Sequence, residues 1–151
     1  MRATRINHVS IVANDLDESA RFYEELFGME RIPTAKFPEP VLWLRAGTNQ
    51  LHLFTADETA RPRAHVAFDV DDFDALYARA KVMGILDSRA FGSPLRVHPA
   101  GWVQLYLRDP ADNLLEVDWP DASTLAAETL ADAKELGGQE GDAATATLYT
   151  A

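Results

Sequence analysis

The hydrophobic and polar positions form the same series twice along the chain. Each series predicts one strand, one amphipathic helix and three further strands, so the pattern is βαβββ repeated. The apolar stripe of the first helix, at a spacing of three or four residues, is Leu16, Ala20, Tyr23 and Phe27. The stripe of the second helix is Phe73, Leu76, Tyr77, Ala80 and Met83. Gly28 and Gly84 follow the helices and predict where they end.

The predicted elements give the domain organisation. The first series predicts a helix from Asp15 or Asp17 to Phe27, and strands near residues 4–13, 29–34, 40–46 and 49–55. The second predicts a helix from about Asp72 to Met83, and strands near residues 64–70, 86–90, 101–108 and 113–118. We therefore expect one domain over residues 1–120, with module 1 at 1–56 and module 2 at 63–120.

The tail over residues 121–151 differs in kind from the repeats. Its segment Leu125–Leu136 predicts one acidic helix. Residues 137–151 are small and polar, which is typical of a flexible end.

Potential metal ligands occupy equivalent strand positions in the two repeats. The first strands begin at His8 and His65, while the last strands carry His52 and Glu116 between apolar neighbours. Because side chains alternate in a strand, these polar residues face away from the side that packs against a helix. A lone strand histidine is usually a packed or surface residue, but repetition in a duplicated unit favours one shared site. Imidazoles with one carboxylate suit Zn, Ni, Mn or Fe(II).

Composition excludes several classes of partner. The 151 residues carry 24 acidic and 14 basic side chains, a net charge of −10, which disfavours nucleic-acid binding. The sequence contains no apolar run of about 18 residues for a membrane span, and its start does not resemble a signal peptide. Cysteine is absent, so disulfide and thiolate chemistry are excluded. We therefore expect a cytoplasmic protein.

Four segments within residues 5–119 resemble the vicinal oxygen chelate superfamily, which joins glyoxalase I, extradiol dioxygenases, fosfomycin-resistance transferases, methylmalonyl-CoA epimerase and bleomycin-binding proteins. The segments are His8-Val9, Leu51-His52-Leu53, His65-Val66-Ala67-Phe68 and Asp109-Pro110-Ala111-Asp112-Asn113-Leu114-Leu115-Glu116. The resemblance implies an α+β fold in which two tandem βαβββ modules form a half-open, metal-centred β-barrel. The family's usual turn is Asp-Pro-Asp-Gly, so this chain departs from it at the turn before the last strand.

Three functions remain open within this family. Resemblance to extradiol dioxygenases implies that His8, His65 and Glu116 bind Fe(II) or Mn, and that His52, His98 and Tyr106 are catalytic. Resemblance to glyoxalase I implies that His52 is a fourth ligand to Ni or Zn in a lyase or isomerase acting through an enediolate, although glutamate is usual there. A bleomycin-type drug-binding protein is the third possibility, but it would not require the metal ligands.

We favour the dioxygenase, cleaving a small aromatic diol, because His98 and Tyr106 fit the family's pattern ahead of Glu116. The segment departs from that pattern at Arg96 and Asp112. Family members commonly pair, so we also expect a C2 homodimer.

Overall fold

The computed structural model describes residues 6–35, 38, 40–55, 63–137 and 148–149. It divides into two compact units, one within residues 1–64 and 109–113, the other within residues 65–108 and 114–151. Each unit contains one βαβββ series and its own sheet. The predicted α+β fold with two βαβββ modules is therefore confirmed.

Unit 1 contains one helix and a four-stranded sheet. Its elements are β1 (His8–Val12), α1 (Leu16–Phe27), β2 (Glu30–Ile32), β3 (Val41–Ala46) and β4 (Asn49–Phe54). The strand order is β1-β4-β3-β2, and β1 runs parallel to β4. Asp15 caps α1 by accepting a hydrogen bond from the Glu18 amide, and Gly28 ends it with a φ of 61°.

The core of unit 1 lies on the sheet face that carries Leu44, Leu51 and Leu53, all of them fully buried. The alternating strand positions leave His52 on the opposite face. Tyr23 of α1 is also fully buried, and its hydroxyl donates a 2.8 Å hydrogen bond to Asp109. A core on one face thus fixes which residues the other face presents.

Unit 2 repeats this arrangement and extends it. Its elements are β5 (His65–Asp69), α2 (Phe73–Met83), β6 (Leu95–Val97), β7 (Val103–Arg108), β8 (Leu114–Trp119), a 3-10 turn (Ala122–Thr124), α3 (Ala127–Ala131) and β9 (Lys134–Glu135). The strand order is β5-β8-β7-β6-β9. Leu105, Leu115 and Val117 are fully buried on one face of this sheet. No helix within the described residues is long and apolar enough to cross a membrane.

The predicted strand at residues 86–90 is wrong. Only Leu86 pairs, in a single bridge to Leu107, and the second strand of the series is β6 instead. Asp87 accepts a 2.9 Å hydrogen bond from the Ala90 amide, and Gly92 has a φ of 81°. These local bonds favour turns over an extended backbone, so the segment between Leu86 and β6 forms no further ladder.

The predicted helix over Leu125–Leu136 is also wrong in extent, because only α3 within it is an α-helix. Asp74 of α2 accepts hydrogen bonds from the Ala126 amide and the Thr129 hydroxyl, which holds the start of α3 in place. Beyond α3 the chain becomes extended and β9 pairs with β6. Most of residues 137–151, predicted to be flexible, lie outside the described residues.

Asp87 forms the buried charge cluster of unit 2. The residue is 2% exposed, and its carboxylate accepts hydrogen bonds from Arg108 at 3.0 Å and Arg89 at 2.9 Å. Burial alone would raise the pKa of Asp87, but hydrogen bonds from Arg108, the Ala90 amide and Arg89 outweigh it and lower that pKa below its usual value. The folded chain therefore stabilises the ionised carboxylate.

We expect Asp87→Asn to lower the free energy of unfolding by roughly 1–3 kcal/mol at neutral pH, since the buried network loses its negative charge and one of its two acceptor oxygens. A carboxyl whose pKa is depressed on folding contributes stability above its unfolded pKa, ~3.9, and loses it as the pH falls through the folded pKa. The cost should therefore shrink under acidic conditions. Urea denaturation at neutral and acidic pH measures it, with exposed Asp71→Asn as the control. An unchanged cost across that range would contradict the ionic role of Asp87.

Candidate metal centre

The register of the parallel strand pairs places the predicted ligands equivalently in the two units. In unit 1, Ser10 on β1 is paired with His52 on β4, and His8 lies two residues before Ser10 on β1. In unit 2, Ala67 on β5 is paired with Glu116 on β8, and His65 likewise lies two residues before Ala67 on β5. Residues two apart in a strand share a face. Each unit therefore presents one first-strand histidine and one last-strand ligand on the same side of its sheet.

In unit 1 the pair is part of a stack of three rings. The rings of His8 and His52 lie 4.2 Å apart at 12° to one another, and the Trp43 ring lies 4.5 Å from His52 at 11°. His52 Nε2 is 2.8 Å from the side-chain oxygen of Gln50. Burial and then the nearby His8 lower the pKa of His52. A neutral imidazole, the form that binds metals or accepts a proton, is thereby favoured.

In unit 2 the pair is an imidazole against a buried carboxylate. His65 Nε2 lies 2.9 Å from Glu116 Oε2, and the Glu116 side chain is 5% exposed. The side-chain amide of Gln104 donates a hydrogen bond to the other carboxylate oxygen. Burial and then Glu116 raise the pKa of Tyr106, which lies opposite Glu116 on β7. The Tyr106 hydroxyl therefore stays protonated beside the carboxylate.

A second carboxyl lies next to this pair on the same face. Asp118 is two residues beyond Glu116 on β8 and is buried. Burial and then Glu116 raise the pKa of Asp118 well above the usual aspartate value, because two close carboxylates resist ionising together. Tyr149 is placed against the same face, where burial and Asp69 raise the pKa of its phenol. Oxygen atoms are thus concentrated around Glu116, and a bound cation would favour the ionised form of Asp118.

The donor set fits a divalent metal ion. Two ligand atoms about 2.1 Å from one ion and at a right angle to each other are ~3.0 Å apart, close to the 2.9 Å between His65 and Glu116. Imidazole nitrogen and carboxylate oxygen are also the ligands that Zn, Mn and Fe(II) take. Within the described ranges no three His, Asp or Glu side chains form a metal-binding group. Each unit therefore supplies a pair of donors.

His98 has partners of its own in the loop after β6. Its ring stacks on Trp102 at 4.2 Å, and its Nδ1 accepts a 3.1 Å hydrogen bond from the Ala100 amide. Because Nδ1 accepts, the neutral ring carries its proton on Nε2. The residue is 7% exposed, so its ring is packed within the protein. Its catalytic role stays a prediction.

The sequence reasoning missed Gln104, Asp118 and Phe91 as neighbours of the candidate centre. The Phe91 ring lies 6.1 Å from His65 and 4.6 Å from Tyr106. Alternation along β8 would have placed Asp118 on the face of Glu116, since both occupy even positions. Phe91 follows the predicted strand at residues 86–90 and lies outside every predicted helix and strand, so the hydrophobic periodicity could not place its side chain at the centre.

Similarity to known proteins agrees with this geometry. Residues 5–117 match the model of the Glyoxalase/Bleomycin resistance protein/Dioxygenase superfamily. A lactoylglutathione lyase from Agrobacterium tumefaciens is 27% identical, with a TM-score of 0.60, and the match covers 78% of this chain and 94% of the lyase. No curated protein sequence matches the chain.

Two further structures share the fold at lower identity. The oxidase ChaP-H2 is 24% identical with a TM-score of 0.62, over 80% of this chain and 99% of the oxidase. A variant of the fosfomycin resistance protein FosX from Listeria monocytogenes, complexed with Mn(II) and a dihydroxypropylphosphonic acid, is 17% identical. Its TM-score is 0.65, over 85% of this chain and 97% of FosX. With its repeated βαβββ units and the match over residues 5–117, the chain belongs to the Glyoxalase/Bleomycin resistance protein/Dioxygenase superfamily.

Proposed function

We propose that this chain is a divalent-metal-dependent dioxygenase of the extradiol type, which cleaves a small aromatic diol. The observation that carries the proposal is the position of Tyr106, which lies opposite Glu116 beside the His65–Glu116 pair, where burial raises the pKa of its hydroxyl. A phenol held there can hydrogen-bond an oxygen of the substrate as negative charge develops on it. Membership of the superfamily supports an enzyme acting on a small molecule.

The proposal assigns Fe(II) or Mn to His8, His65 and Glu116, whether these come from one chain or from two. It rests on their equivalent strand positions and on the fit of the His65–Glu116 distance. When bound, the ion supplies Lewis acidity to the vicinal oxygens of the diol. Gln104 holds one Glu116 oxygen, so the carboxylate is oriented before any ligand arrives.

Two histidines are assigned to proton transfer. The lowered pKa of His52 favours a neutral ring, which can accept a proton from the diol near neutral pH. The hydrogen bond from the Ala100 amide leaves the Nε2–H of His98 as a hydrogen-bond donor, which can stabilise the substrate oxygen that is left negative by that transfer.

A glyoxalase-like lyase with Ni or Zn is the second candidate. The observation that favours it is the contact between His52 and His8, since adjacent imidazoles suit two ligands of one ion as well as one ligand and one base. The 27% identity to a lactoylglutathione lyase supports the same reading.

Reconstitution with single metals tests the proposed function. The full chain would be freed of metal, loaded separately with Fe(II), Mn(II), Ni(II) or Zn(II), and given catechols in the presence of oxygen. We expect uptake of one O2 per diol and a yellow ring-opened product with Fe(II) or Mn(II).

Glu116→Gln should weaken metal binding by at least about tenfold, since a charged ligand is lost. Exposed Glu128→Gln, on α3, is the matched control. Turnover of methylglyoxal plus a thiol with Ni(II) or Zn(II), without oxygen uptake on any diol, would replace the dioxygenase with the lyase.

His52→Ala separates the two enzyme classes. If His52 is an acid/base, metal occupancy should stay near normal while turnover falls by about 10²–10⁴-fold. Elemental analysis and steady-state kinetics on the same preparation measure both quantities. A marked loss of bound metal in the variant would instead identify His52 as a fourth ligand and favour the lyase.

We also propose that the chain forms a C2 homodimer, as its family commonly does. Light scattering should give twice the monomer mass at micromolar concentration. A monomer mass up to high micromolar concentration would refute the dimer.

A further inference from the structure

Two cations of unit 2 lie side by side without a carboxylate partner. Arg96 on β6 is the register partner of Lys134 on β9, and neither takes part in an ion pair within the described part of the chain. By contrast, ion pairs with carboxylates are formed by Arg31, Arg45, Lys81, Arg89 and Arg108. In a chain of net charge −10, two adjacent unneutralised cations are unexpected.

Arg96 also carries an unsatisfied donor. Its Nε is buried and has no hydrogen-bond partner among the described residues. Buried donors are almost always paired, because an unpaired one loses its hydration without compensation. The guanidinium carbon lies 5.8 Å from the centre of the Phe91 ring, which supports the group from one side. A donor held in this way is suited to a ligand.

The same residues connect Arg96 to the candidate metal centre. Tyr106 interacts with both Arg96 and Glu116. The Phe91 ring lies 6.1 Å from the His65 ring and 5.8 Å from the guanidinium carbon of Arg96, so it contacts both groups. A flat molecule lying along Phe91 and Tyr106 would therefore have one end at the cation and the other at the His65–Glu116 pair. Arg96, Gln104 and Asp118 form one row across β6, β7 and β8, so the Gln104 side chain lies between that cation and Asp118 on the same face.

We propose that Arg96, with Lys134 beside it, binds a carboxylate of the substrate, so that the substrate class is an aromatic acid. The planar guanidinium matches a carboxylate in two parallel hydrogen bonds, and Lys134 adds charge without geometric demand. The aromatic ring packs along Phe91 and Tyr106. This inference rests on the proposed function for the position of the reacting oxygens, but the recognition of the carboxylate does not depend on the metal.

The test compares an acid with its neutral isostere. The full chain, kept metal-free with a chelator, would be titrated with benzoate and with benzamide and followed by nuclear magnetic resonance. We expect benzoate to bind about tenfold or more tightly than benzamide, as for hydrogen bonds between charged groups. Arg96→Gln should reduce that ratio to within about twofold, whereas exposed Arg21→Gln on α1 should leave it unchanged.

Several outcomes would overturn the proposal. They are equal affinity for benzoate and benzamide in the natural chain, an unchanged ratio in Arg96→Gln, and tighter Arg96-dependent binding of phenylphosphonate than of benzoate. The first of these requires no variant, so a variant that fails to fold leaves the proposal falsifiable. Oxygen uptake with neutral catechols preferred over acidic ones would contradict this inference alone. A chain that selects benzoate but takes up no oxygen would contradict the dioxygenase alone.

Discussion

The parallel pairing of the first and last strands of each repeat is the constraint on which the candidate centre depends. A strand alternates its side chains with a period of two, so burying Leu51, Leu53 and their counterparts under a helix turns every second residue to the other face. A shift of one residue in the β5–β8 register would bury His65 and expose Val66 instead. The core thus determines the position of the polar residues as strictly as any interaction between them does.

Glu116 illustrates how that position becomes a chemical property. Its carboxylate is buried, yet it has an imidazole, an amide and a phenol around it, from His65, Gln104 and Tyr106. A buried carboxylate is stable only when such donors replace water. The neighbouring Asp118 lacks an equivalent set and its pKa rises instead. Two carboxyls on one strand and one face therefore have different surroundings.

The sequence predicted the repeat, both long helices and the face of each ligand, because all of these follow from local periodicity and from duplication. It predicted the strand at residues 86–90 wrongly. The Asp87 carboxylate there accepts hydrogen bonds from the Ala90 amide, in a turn, and from Arg108, which is distant in sequence. The length of the last helix was wrong for a similar reason, because Asp74 and β6 hold the tail in place.

At the candidate centre, the sheet face that carries the predicted ligands was readable from alternation, but the surroundings were not. Arg96 was visible only as a departure from the family's pattern. The sequence does not show that its Nε is buried or that Phe91 lies beneath it. Both depend on the path of the loop that carries Phe91, which is set by tertiary contacts. Periodicity gives the face of a strand, whereas it says nothing about what a loop brings to that face.

The short strand β9 has a consequence for the behaviour of the chain in a crowded solution. An uncovered edge strand offers free amides and carbonyls to any other chain, which is a common route to aggregation. β9 covers β6, and the Leu136 amide continues the contact by donating to the Val97 carbonyl at 2.8 Å. The edge that replaces β6 is only two residues long and carries Lys134 and Glu135. A short, charged edge is a poor template for further strands, so β9 protects this edge of the sheet in unit 2 from pairing with another chain.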